Sequence, residues 1–88
     1  MEYKDFEMVF KVAGLTQRQI KKAQERAYKE FEDANGKKAT TGGQRKAAYD
    51  FLVSFLGTMD IDELVDVMWK ICKASREQSE KLYSLLDV

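Results

Sequence analysis

Residues 46–56, KAAYDFLVSFL, form a segment whose helical wheel is apolar on nearly every side. Its interior polar residues are Asp50 and Ser54, four apart and in line with Lys46 and Gly57. A helix built here has one narrow wet stripe and buries the remainder. The other segments are amphipathic, each with one apolar face to hide, and this helix supplies the surface they hide it on. The pattern predicts an all-α, single-domain bundle of four to five helices packed around a central hydrophobic helix at residues 44–56. Ala48, Phe51, Leu52, Phe55 and Leu56 are expected to be almost fully buried.

Local signals divide the rest of the chain into helices at about 3–13, 17–35, 61–74 and 76–86. In the first, Tyr3, Phe6, Val9, Phe10 and Ala13 make a helical stripe, while Phe6, Met8, Phe10 and Val12 alternate as a strand would. No other segment offers a strand to pair with it, so the helix is preferred. Met8 and Val12 then lie off the stripe. Gly14 closes this helix, and Thr16 with Gln19 forms a capping box for the next, stapled by Leu15 and Ile20. That second helix carries a narrow stripe of Ile20, Ala23, Ala27, Phe31 and Ala34, and stops at Asn35-Gly36. Residues 36–43, GKKATTGG, read as a flexible basic loop, and Thr41 with Gln44 caps the central helix. Asp60 starts the fourth helix with Glu63 three residues on. Its apolar arc runs through Ile61, Leu64, Val65, Val67, Met68, Trp69, Ile71 and Cys72. Ser75 and Ser79 interrupt that arc, and Ser75 with Gln78 is a further capping box, so a break falls near residues 74–76. One unbroken helix from 61 to 86 is the alternative.

The composition excludes several classes of function. The chain of 88 residues has no histidine, no proline and a single cysteine. One thiol makes neither an internal disulfide nor, without histidine, a zinc site, so no metal and no cofactor are expected. The commonest acid–base catalyst is missing too. No phosphate-loop, dinucleotide-binding or HExxH pattern occurs. A carboxylate-only chemistry would use Asp60, Asp62, Glu63 and Asp66, but these suit a solvated, acidic helix start. The chain is therefore expected not to be an enzyme. No run nears the roughly 18 apolar residues of a membrane span and MEYKDFE is not a signal peptide, so a cytoplasmic protein without membrane contact is expected. Cys72 sits in the middle of the apolar arc and reads as a small buried hydrophobe.

Charge gives the strongest functional hint. The overall formal charge is zero, yet it divides into −2 over residues 1–10, +6 over 11–46 and −4 over 47–88. Arg18, Lys21, Lys22, Arg26 and Lys29 crowd one face of the second helix, and Lys37, Lys38, Arg45 and Lys46 surround the loop. Glu25 with Lys29, Arg26 with Glu30 and Lys29 with Asp33 have ion-pair spacing. Arg18 and Lys22 have no such acidic neighbour. Charge segregated in this way suits docking to a charged partner. Val67, Trp69, Leu82, Leu85 and Leu86 are candidates for an apolar interface, and the wide arc with its leucine-rich end predicts a homodimer.

These residues point to a small non-enzymatic adaptor, regulator or inhibitor that binds another protein, with an acidic surface, through the basic helix and loop or the apolar edge. The alternative is a nucleic-acid-binding protein using residues 18–46. The segment GLTQRQIKKA resembles the first helix of a helix-turn-helix, but that motif turns soon after Ala23 and here the helix continues through Gln24, Glu25 and Arg26. Small helical chains without histidine or proline resemble the accessory proteins of phages and mobile elements, a likeness of composition that transfers no functional residue.

Overall fold

The computed structural model describes residues 3–86, with side chains from Phe6 to Leu86. Five α-helices follow in order: α1 (Tyr3–Val12), α2 (Gln17–Asn35), α3 (Gly42–Gly57), α4 (Ile61–Cys72) and α5 (Arg76–Leu86), with no strand among the described residues. The chain between residues 61 and 86 is two helices, broken at residues 73–75. α3 starts two residues earlier than expected, which shortens the loop to residues 36–41. α4 stops at Cys72 rather than at residue 74.

The ends of these helices are set by chemistry within a few residues. α1 closes on Gly14 at φ 90°. There the Gly14 N–H donates to Lys11 O at 2.9 Å and the Leu15 N–H to Phe10 O at 3.1 Å, the paired bonds of a Schellman stop. Thr16 and Gln19 form the expected reciprocal box at the start of α2, and Thr41 with Gln44 does the same for α3. α2 ends on Gly36 at φ 72°, a left-handed conformation that a side chain adopts only at a cost. Asp60 accepts the Glu63 N–H at 2.8 Å to start α4. At α5, the Ser75 N–H donates to Gln78 Oε1 at 2.9 Å, and the Gln78 N–H to Ser75 Oγ at 3.1 Å.

All five helices contribute to one core. Phe6, Phe10 and Ala13 are buried from the first helix and its stop, and the place assigned to the Tyr3 side chain lies outside the described residues. α2 adds Ile20, Ala23 and Ala27; α3 adds Ala48, Tyr49, Leu52 and Leu56; α4 adds Leu64, Met68 and Cys72; α5 adds Ser79 and Leu82. α3 packs against α1, α2 and α5, with α2 its largest partner, while α4 packs against α2 and α5. The ring of Tyr49 stacks on Phe6 at 4.4 Å between centroids, and its hydroxyl is hydrogen-bonded to that of Tyr28.

Tyr49 explains the main departure from the sequence expectation. Phe51 and Phe55 are 48% and 46% exposed rather than buried. The wet side of α3 runs through Ala47, Phe51, Ser54 and Phe55, while Lys46 and Asp50 are half-buried. The stripe is thus rotated by roughly a quarter of a turn at 100° per residue. On a wheel that is apolar nearly all round, transfer free energy barely favours one side. The aromatic contacts of Tyr49 decide it. Two smaller corrections concern α2, where Ala34 is exposed and Phe31 only half-buried.

Candidate functional site

The start of α2 and the start of α5 meet although they are far apart in the chain. Gln19 and Gln78, each the third residue after its cap, face one another: Gln19 Nε2 donates to Gln78 Oε1 at 3.1 Å and Gln78 Nε2 to Gln19 Oε1 at 3.0 Å. Gln78 Nε2 also donates to Gly14 O at 2.8 Å. One amide pair therefore ties together two helix starts and the turn after α1. Half-buried amides with several partners hold their positions better than exposed ion pairs do.

Beside this junction, α2, the end of α4 and the start of α5 enclose an open cleft of about 650 Å³. Arg18 and Lys22 line it from α2, and Lys70, Ile71, Cys72 and Lys73 from the end of α4. Lys70 Nζ lies 2.9 Å from Asp66 Oδ2. Arg18, Lys22 and Lys73 make no ion pair among the described residues. Among the described residues, no carboxylate lines the cleft. Cys72, 8% exposed, donates its thiol to Met68 O at 3.5 Å. Burial pushes its pKa up, against a smaller opposing effect of the Ala74 backbone, so the group stays a neutral thiol at pH 7. With Ile71 it forms the less polar part of the lining.

The helix dipole sharpens the electrostatics. α2 has no acidic residue in its first turn, and Arg18 is its second residue. A cation at the positive end of a helix is unfavourable by about 0.3–1 kcal/mol, the reverse of the usual arrangement at α4, where Asp62 and Glu63 stand in the first turn. Lys73 adds a second local cost, because it is the one non-glycine residue at positive φ among those described, at 54°. At Lys73, glycine is the residue the backbone prefers.

The remaining basic residues named from the sequence do not join this cleft. Arg26 Nε lies 2.7 Å from Glu30 Oε1, the expected pair. Glu25 with Lys29 and Lys29 with Asp33 are at no ion-pair distance among the described residues. Lys21, Lys29, Lys37, Lys38 and Arg45 are exposed and Lys46 half-buried, strung along α2, the loop and the start of α3. The apolar candidates divide. Leu82 is fully buried and cannot be an interface residue; Val67 and Leu86 pack half-buried against the core. Trp69 is 56% exposed and Leu85 37%. The surplus apolar surface expected on α4 and the leucine-rich end is thus largely absorbed internally, and Phe51 and Phe55 expose more. The acidic group disperses as well: Asp60 caps α4, Asp62 lies 3.6 Å from Arg76, Asp66 pairs with Lys70, and Glu63 is exposed. No set of groups among the described residues is arranged to hold a metal ion.

Sequence reasoning missed Lys70, Lys73 and Gln78 as members of the site. Lys70 has the character of a helix-ending cation and Gln78 that of a cap, and nothing in their neighbours signals that α2 lies against them.

Fold and site together define a small all-α bundle with a basic cleft. None of its described helices is long and apolar enough to cross a membrane. Comparison of the chain with protein-family models, with curated proteins and with solved structures finds no match.

Proposed function

We propose that this chain is a non-catalytic protein-binding module, an adaptor or regulator, whose basic α2 surface receives an acidic partner. The observation that carries the reading is the first part of α2, where Arg18 stands at the positive end of the helix and Lys22 one turn further on, neither with an ion-pair partner among the described residues. An arrangement that costs stability and is relieved by an incoming anion belongs to a binding surface. A protein partner is favoured over nucleic acid because α2 runs unbroken to Asn35, without a helix-turn-helix turn, and no aromatic side chain among the described residues lines the cleft for base stacking. The acidic stretch on the same small body also repels a long phosphate backbone. Small accessory proteins of phages and mobile elements are the setting that such a module would suit. The test is a titration at about 150 mM salt: polyglutamate is expected to bind and duplex DNA is not. Sub-micromolar DNA binding, lost on Arg18→Glu with Lys22→Glu, would make this a nucleic-acid-binding protein instead.

A further inference from the structure

The cleft narrows the partner further. Its charge is carried by Arg18 and Lys22 on the α2 side and by Lys70 and Lys73 on the α4 side, and Ile71 and Cys72 line it as well. At the helix starts beside it, part of the backbone donor set is already engaged. Thr16 Oγ1 already accepts the Gln19 N–H at 3.2 Å, Ser75 Oγ accepts the Gln78 N–H at 3.1 Å, and the two glutamine amides are bonded to each other. The charge that a ligand meets there is on separate side-chain cations. Three of the four are lysines, which act as point charges rather than as a fork that grips one planar group at two points. Separate point charges on two sides of a partly apolar cleft match carboxylates spread along a chain. The volume of about 650 Å³ falls within the range that encloses a few residues rather than a folded surface.

Building on the reading that the basic α2 surface receives a protein, we propose that the cleft between α2, α4 and α5 takes a short acidic peptide segment of that partner. Carboxylates on the segment meet Arg18 and Lys22 on one side and Lys70 and Lys73 on the other. An apolar side chain between them sits on Ile71 and Cys72. The carboxylate that reaches Lys70 competes with Asp66, which holds that lysine at 2.9 Å. Glycine at Lys73 would relieve the left-handed backbone but would remove one of the cations.

Cys72 gives a direct test, since it is the only cysteine in the chain and lines the cleft. The probe is a capped peptide with two glutamates on each side of a central leucine, and the control replaces the glutamates with glutamines. The readout is the rate of Cys72 alkylation by N-ethylmaleimide, a neutral reagent, at about 100 mM salt. Saturating acidic peptide is expected to slow alkylation at least threefold, and the glutamine control to leave it unchanged. Arg18→Glu, which suits the helix dipole and so keeps the fold, should weaken peptide binding roughly tenfold. Lys73→Gly should weaken it roughly threefold, in the range of an exposed ion pair, while raising the urea midpoint. If the peptide binds without protecting Cys72, and Lys37→Glu with Lys38→Glu abolishes binding, the cleft is not the site although the protein-binding reading stands. If neither the peptide nor polyglutamate binds, both readings fall. Protection by sodium phosphate alone would replace the peptide site with a compact-anion site, and protection by short single-stranded DNA would replace it with a nucleic-acid site.

Discussion

Truncating Phe51 and Tyr49 separately tests which side of α3 faces the core. Fully burying a phenylalanine side chain contributes about 1.5–3 kcal/mol. Phe51 is 48% exposed, so Phe51→Ala forfeits about half of that, near 1 kcal/mol. The space it vacates opens to water, so there is no enclosed void to add a cavity penalty. Alanine also returns up to about 0.5 kcal/mol in helix propensity. The net loss should stay below about 1 kcal/mol. Tyr49 is 1% exposed, stacks on Phe6 and shares a hydroxyl hydrogen bond with Tyr28. Tyr49→Ala should cost about 3–5 kcal/mol for the lost ring, with about 1 kcal/mol more for the hydrogen bond. A domain of this size has a total stability near the lower end of about 5–15 kcal/mol, so the second variant should be marginally folded. Urea denaturation followed by circular dichroism at 222 nm measures both. A loss above about 3 kcal/mol for Phe51→Ala, or below about 1 kcal/mol for Tyr49→Ala, would refute the orientation of α3 described above.

Other perturbations address the helix junction, the core and the thiol. Gln78→Ala removes the α5 capping box and the bonds to Gly14 and Gln19, and should cost about 1–2 kcal/mol in the same urea assay. Ser79 is fully buried and its hydroxyl has no hydrogen-bond partner among the described residues. Ser79→Ala should therefore stabilise the protein by about 1 kcal/mol, and a loss of stability would show that the hydroxyl is satisfied in solution. Burial raises the Cys72 pKa above its ordinary value of 9.0. The unfolded thiol then ionises before the folded one, so this contribution to stability is complete below pH 9 and is lost as pH rises through the folded pKa. Urea midpoints across that range should fall more steeply for the native chain than for Cys72→Ala, and equal slopes would contradict the burial of the thiol.

The sequence by itself determined most helix boundaries to within two residues, the end of α4 at left-handed Lys73 being one it did not signal. Thr16 with Gln19, Thr41 with Gln44, Asp60, and Ser75 with Gln78 act over three residues, and Gly14 and Gly36 permit left-handed stops, so each boundary is a local matter of backbone hydrogen bonds. Periodicity likewise placed Phe6, Phe10, Ile20, Ala23, Leu64 and Met68 in the core, because on those helices the apolar and polar sides differ strongly. On α3 they do not, and a nearly uniform wheel says how much is buried but not which side. The contact of Tyr49 with Phe6, from a helix about forty residues away, settled that question and left Phe51 and Phe55 in water. The leucine-rich end of the chain was ambiguous for a similar reason: Leu82, Leu85 and Leu86 are chemically alike, and the packing of α5 on α4 and α1 selected Leu82 for the core. The cleft belongs wholly to tertiary structure. Arg18 and Lys22 were legible as cations lacking partners, but their meeting with Lys70 and Lys73 depends on the packing of α2 against α4 and on the Gln19–Gln78 amide pair. Charge and hydrogen-bonding capacity are properties of single residues, whereas a site is a distance between residues, and only the folded chain fixes that distance.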